Sequence, residues 1–157
     1  MEFSPLTEAD VRAIAAWVYP PPYDVYNLPD WDTVQAQGWA LADPERRSQQ
    51  FTAIRSGGAL IGYYRIQRQG ETGLLGLGLR PDLCGQGHGP AAVGEILTRL
   101  RGDTTLCEIV LEVRRFNQRA IRCYARCGFR PAGAPYTRDV LGVPTEFVRM
   151  IYRFHQA

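Results

Sequence analysis

The stretch that most constrains this chain is a run of alternating glycines, Gly85-Gln86-Gly87-His88-Gly89, set between a strand-like segment ending in Leu79-Arg80-Pro81 and an apolar helical stripe. Val93, Ile96, Leu97 and Leu100 repeat at i, i+3, i+4, i+7 and predict a helix from Ala91 to about Arg101. Pro90 falls at its first position, where a missing N–H is harmless. Alternate glycines let the backbone take positive φ and turn successive N–H groups onto one concave surface. The free N–H groups and dipole of the helix aim at the same place, so the turn predicts a site for phosphate or pyrophosphate.

Two other phosphate-binding turns compete with this reading. A nucleoside triphosphatase loop needs a lysine on the β- and γ-phosphates, and the chain contains none. Gly87-His88-Gly89-Pro90-Ala91-Ala92 fits the dinucleotide pattern G-x-G-x-x-A, with Glu108 about 20 residues on. Against it, Pro81 to Gln86 separate the strand end from Gly87, whereas the dinucleotide turn passes from strand to first glycine at once. The 157 residues are also few for a doubly wound domain plus a substrate domain.

A second segment follows at Asn117, Ala120, Tyr124, Gly128 and Phe129, after the strand-like Leu111-Glu112-Val113. The two segments together resemble the GCN5-related N-acetyltransferase (GNAT) superfamily, over roughly residues 50–154 and best from Leu77 to Phe129. The family loop reads Arg/Gln-x-x-Gly-x-Gly/Ala, and Cys84 to Gly89 matches it except at Cys84, where Arg or Gln is usual. That departure removes one side chain from the phosphate region and leaves the backbone donors, so it bears on affinity more than on cofactor identity. The family's Asn-x-x-Ala-x-x-x-Tyr-x-x-x-Gly-Phe is matched in full. The resemblance implies an α/β (α+β) single domain over 1–157, with a central, mostly antiparallel twisted sheet flanked by helices.

It also implies acetyl-CoA as cofactor and acetyl transfer to a primary amine. Leu77, Gly78 and Leu79 would pair with the pantetheine arm, and Asn117 would bond it further along. Cys84, Gly85, Gln86, Gly87, His88, Gly89 and Pro90 would hold the pyrophosphate. Among Arg114, Arg115, Arg119, Arg122 and Arg126, Arg122 is assigned to the cofactor; solvated helix faces are the alternative. Tyr124 would protonate the departing thiolate, since a phenol with pKa near 10 stays protonated at neutral pH. Its alternative is a core aromatic. An alkylammonium needs a base before it attacks, and Thr72–Arg80 holds no acid. Glu112 is the candidate: Leu111-Glu112-Val113-Arg114, 12 residues before Tyr124, looks like the branch that acetylates protein N-termini, of ribosomal-protein type. A water chain, Glu146 and Asp139 are the other routes, and alternation on the strand also allows a plain solvated glutamate.

The acceptor would be a small amine or a peptide N-terminus, framed by Tyr23, Tyr26 and Trp31, which cluster with Tyr19 around a proline-rich break, and by Ala134–Thr145. The same aromatics are equally able to cover the core. No metal site is expected: Cys123 and Cys127 stand one helical turn apart without C-x-x-C, and His88 and His155 lie far off in sequence. Cys84, near a helix N-terminus, is the thiol most open to activation. The opening residues lack a signal peptide's basic and apolar regions and no run of about 18 apolar residues exists, so a cytoplasmic protein without membrane contact is expected, as monomer or homodimer. A net charge of +2 points to no nucleic acid, although residues 99–157 carry 11 arginines against 5 acids. An acyl-CoA-binding sensor without turnover is the non-enzymatic alternative.

The rest reads as a strand near Phe3–Leu6, a helix capped by Thr7 and broken at Tyr19–Tyr23, and a helix from Trp31 to Leu41. A hairpin of Phe51–Arg55 and Ala59–Gln67 follows, then strands at Thr72–Leu79, Phe129–Gly133 and Glu146–Phe154.

Overall fold

The computed structural model describes residues Met1–Phe154, and its strands hydrogen-bond in the order β1-β2-β3-β4-β5-β8-β6, with β7 also on β8. These are β1 (Glu2–Pro5), β2 (Phe51–Ser56), β3 (Ala59–Gln69), β4 (Thr72–Leu79), β5 (Glu108–Arg114), β6 (Arg130–Pro131), β7 (Tyr136–Val140) and β8 (Val143–Arg153). The β4–β5 pair is parallel, and β1–β2, β2–β3, β5–β8, β6–β8 and β7–β8 are antiparallel. The parallel pair requires a crossover, which α4 (His88–Arg101) provides. The expected mixed, mostly antiparallel sheet with helices is the fold.

Two compact units share the strands: Met1–Ile66 with Gly76–Cys84, and Gln67–Leu75 with Gly85 onward. The first contains α1 (Glu8–Ala15), α2 (Trp31–Ala36), α3 (Pro44–Gln50) and 3₁₀ turns at Tyr23–Tyr26 and Pro81–Leu83. Its core gathers Leu6, Val11, Ile14, Trp31, Val34, Leu41, Phe51 and Ala53. Thr7 caps α1 by a capping box: its Oγ1 accepts from Asp10 N at 3.1 Å, and Asp10 Oδ2 accepts from Thr7 N at 2.9 Å. Asp10 also takes a 2.6 Å bond from Arg55 Nη2, tying α1 to β2. Burial pushes its carboxyl up, but the bonds from Thr7 and Arg55 together hold it below the ordinary 3.8.

That arrangement predicts a pH-dependent stability. Asp10→Asn is expected to destabilise by about 1–3 kcal/mol at neutral pH, because the amide oxygen still accepts from Thr7 N but the charge paired with Arg55 is lost. A depressed folded pKa stabilises above the unfolded value, and the contribution disappears as pH falls through the folded one. Thermal melts should therefore show a constant gap between wild type and variant from pH 5 to 7 that closes below about pH 4. A gap unchanged down to about pH 2 would assign the loss to packing rather than to charge.

Several boundaries differ from the sequence reading for local reasons. The helix from Trp31 stops at Ala36 because Gly38, with φ +69°, takes the left-handed position that ends it. A separate α3 then starts at Pro44, with Asp43 accepting from Glu45 N and Arg46 N. The expected Phe129–Gly133 strand narrows to Arg130–Pro131, and the expected loop Ala134–Thr145 contains β7, registered on β8 from Tyr136↔Phe147 to Val140↔Val143. The alternation Tyr136-x-Arg138-x-Val140 was the signal for it. In the second unit α4 begins at His88, three residues early, so Pro90 is its third residue, still within the turn whose N–H groups lack helical partners. Ala92, Val93, Ile96 and Leu97 on α4, Ile109 to Leu111 on β5, Phe129, Phe147 and Met150 are buried. Among the described residues no helix is long and apolar enough to cross a membrane.

Candidate active site

In the first unit the site element is the end of β4. Its ladder with β5 runs only through Thr72↔Glu108, Gly73↔Ile109 and Leu74↔Val110. β5 continues along β8 to Arg114↔Phe147, so β4 leaves the pairing after three residues. Gly78 is glycine for a reason internal to the fold. A Cβ there would stand 2.5 Å from Tyr63 Cε1, and one on Gly62 would stand 2.7 Å from the Gly78 carbonyl. The missing side chain at Gly78 thus makes room for the Tyr63 ring, whose hydroxyl burial pushes up to about 12. Gly76 has more room, 3.8 Å from Arg65 Cβ.

Tyr19 donates to the Leu79 carbonyl at 2.5 Å and pins the strand's end. Burial raises its pKa, with Tyr63 and Cys84 adding to the effect. Tyr26 leans edge-on against Tyr19 at 6.5 Å, and Tyr23 is half-buried at the start of the 3₁₀ turn. Trp31, expected at the acceptor, is 8% exposed in the core, with the Arg12 guanidinium 4.8 Å from its ring centroid. Cys84 is half-buried, its Sγ 3.7 Å from the Arg80 carbonyl.

In the second unit the glycine turn has the expected character, with one difference. Gly85 and Gly87 have φ of +76° and +84°, while Gly89 is helical. Gly87 is the N-cap of α4 and supplies no side-chain hydrogen bond. The exposed turn therefore offers N–H groups at the positive end of a 14-residue helix whose last turn carries Arg99 and Arg101. The surroundings fit a diphosphate: no acid occupies the first turn of α4, and a Cβ built on Gly85 would lie 3.8 Å from Arg119 Nη1. Arg122, the arginine singled out from sequence, is exposed further along α5 (Gln118–Arg126). Arg119, one of the five arginines named from sequence, is the second residue of α5, two positions after its asparagine cap.

Asn117 is 8% exposed and caps α5, its Oδ1 accepting from Ala120 N at 3.1 Å. The cap accounts for an asparagine at this position without any ligand. Tyr124 is half-buried rather than buried, edge-on to Phe129 at 5.8 Å. Phe129 is 2% exposed and also packs on Tyr152, so the Gly-Phe pair is a core anchor for α5.

Glu112 is a partnered carboxylate. Tyr136 OH donates to its Oε2 in a short hydrogen bond, and Arg138 Nε donates to the same atom at 3.2 Å. Arg149 stands opposite across the β5–β8 ladder. Tyr136 stacks on Phe147 at 6.0 Å, and the Arg138 guanidinium lies 4.2 Å from the same ring centroid. Burial first, then the bond to Glu112, pushes the Tyr136 hydroxyl up to about 12, so it stays a donor across the neutral range. The other acids have structural tasks: Glu146 pairs with Arg115 at 2.7 Å, and Asp139 accepts from Gly142 N at 3.1 Å in the β7–β8 turn. The cysteines are free thiols, and burial pushes Cys123 up to about 11, away from thiolate chemistry. Among the described residues no three His, Cys, Asp or Glu side chains are placed to hold a metal ion; His155 lies outside them.

The Acetyltransferase (GNAT) family model matches residues 10–129. The N-alpha-acetyltransferase RimI of Mycobacterium tuberculosis is 34% identical over 98 residues, covering 59% of this chain and 58% of that protein. Aminoglycoside acetyltransferase AAC(6')-Ib, solved in complex with coenzyme A, superposes with a TM-score of 0.74 at 22% identity, over 97% of this chain and 94% of that one. A spermidine N-acetyltransferase SpeG chimera from Vibrio cholerae and hSSAT gives 0.73 at 17% identity, over 98% and 96%.

Proposed function

The chain belongs to the GNAT acetyltransferase family, and on that premise we propose that it transfers the acetyl group of acetyl-CoA to a primary amine by direct attack. The observation that carries the proposal is the exposed, acid-free turn at Gly85–Gly87 opening an uncapped α4. A pantetheine arm would pair with the backbone of Leu77, Gly78 and Leu79 at the end of β4, past the last residue of its ladder with β5. Backbone N–H and C=O groups on a strand edge need partners, and an amide-bearing arm supplies them. Glu112 would take the ammonium proton, directly or through one water. Attack by the amine forms the C–N bond, and loss of the C–S bond releases a thiolate that Tyr124 protonates. The second proton shed by the attacking nitrogen returns through water to the Tyr124 oxygen. The RimI relative and the Leu111–Arg114 string support a peptide N-terminus as the first acceptor to test, ahead of polyamines and aminoglycosides.

Acetyl-CoA is expected to raise the melting temperature of the purified protein, and NAD is not. A shift with NAD alone would transfer the glycine turn to the dinucleotide reading. Thiol release across peptides, polyamines and aminoglycosides then separates enzyme from sensor. The sensor reading draws on Cys84 and on a Glu112 already engaged by Tyr136 and Arg138. Turnover on any amine removes it; CoA binding with no turnover on the whole panel would establish it.

A further inference from the structure

We propose that Arg119 anchors the pyrophosphate of the CoA donor, supplying from α5 the positive charge that the glycine turn lacks at Cys84. The inference rests on the CoA-dependent reading above. The Arg119 guanidinium reaches the turn itself, 3.8 Å from where a Gly85 Cβ would be, at a backbone whose left-handed φ of +76° presents no side chain of its own. The residue is half-buried, whereas Arg122 and Arg126 on the same helix are exposed. Its helix is held locally: Asn117 caps it, and Cys127 Sγ at its far end lies 3.7 Å from the Pro90 carbonyl in the first turn of α4.

As the second residue of α5, Arg119 sits at the positive end of that helix's dipole, in a first turn that contains no acid, where a cation is disfavoured. A bound diphosphate reverses the sign of that interaction. The α4 N-terminus alone offers N–H groups and a partial charge, whereas a diphosphate brings full negative charges. A planar guanidinium with paired N–H donors is the side chain that meets them bidentately.

Calorimetric titration of wild type, Arg119→Gln and Arg119→Lys with CoA, dephospho-CoA and pantetheine tests the assignment. Dephospho-CoA lacks the 3′-phosphate and keeps the pyrophosphate; pantetheine has neither. Arg119→Gln is expected to weaken CoA and dephospho-CoA by the same factor, about 10- to 100-fold, as for a lost charge-assisted pair. Pantetheine, followed by competition at high concentration, should bind both proteins alike. Arg119→Lys should fall between, since a point charge replaces the fork. A loss confined to CoA and absent with dephospho-CoA would move Arg119 to the 3′-phosphate and overturn the proposal. So would unchanged CoA affinity in Arg119→Gln, or an equal loss with pantetheine, which would mark a structural role. Failure of the wild type to bind CoA at all would instead remove the underlying reading, and this inference with it.

Discussion

Tyr124→Phe is expected to lower kcat by about 10²–10⁴-fold while leaving acetyl-CoA affinity nearly unchanged, the signature of a lost general acid. The substitution is conservative because phenylalanine keeps the edge-on ring contact with Phe129 at 5.8 Å. Melting temperature should therefore stay close to wild type. The hydroxyl alone is removed, and with it the donor that would protonate the departing thiolate, whose conjugate thiol has a pKa near 8.5. Stopped-assay kcat together with calorimetric binding decides the matter. A kcat within about twofold of wild type would assign Tyr124 to packing alone.

Glu112→Gln should lower kcat/KM by about 100-fold near neutral pH and recover as pH rises toward 10, where the free amine no longer needs help. Glutamine still accepts from Tyr136 OH, so the short bond that orients position 112 survives in neutral form. The ion pair to Arg138 is lost, but its partners are 47% and 27% exposed, and such a screened pair contributes about 0.2–1 kcal/mol at most. The fold is thus preserved and the profile reports on proton removal. Equal losses at every pH would assign Glu112 to orienting the Tyr136–Arg138 pair or the acceptor. Unchanged rates in both variants would sink the acid–base scheme.

Much of the architecture was legible because it is local. The stripe Val93, Ile96, Leu97 and Leu100 announces α4 at one side chain per turn or better, and Thr7 with Asp10 writes a capping box into four residues. The expected helix runs past Gly38 to Leu41 and residues 42–50 have no expected element, although Gly38 ends α2 and Asp43 with Pro44 starts α3. β7 was missed because Pro135 and Gly142 frame a strand of only five residues, exposed along much of its length, so its apolar pattern is weak.

By itself the amino-acid order determined the Thr7 cap, the glycine turn and the apolar stripe of α4. Each depends on φ preferences, caps and periodicities within about ten residues. The mixed, mostly antiparallel sheet was legible through the family resemblance. Only the tertiary structure decided what stands beside them. Glu112 meets Tyr136 across 24 positions, Tyr19 reaches Leu79 across 60, and the arginine brought to Gly85 is Arg119 rather than Arg122. Such pairings are selected by strand register and by the way helices pack, and a one-residue shift in either would present a different side chain. For the same reason Gly78 serves the Tyr63 ring, and Trp31 serves the core.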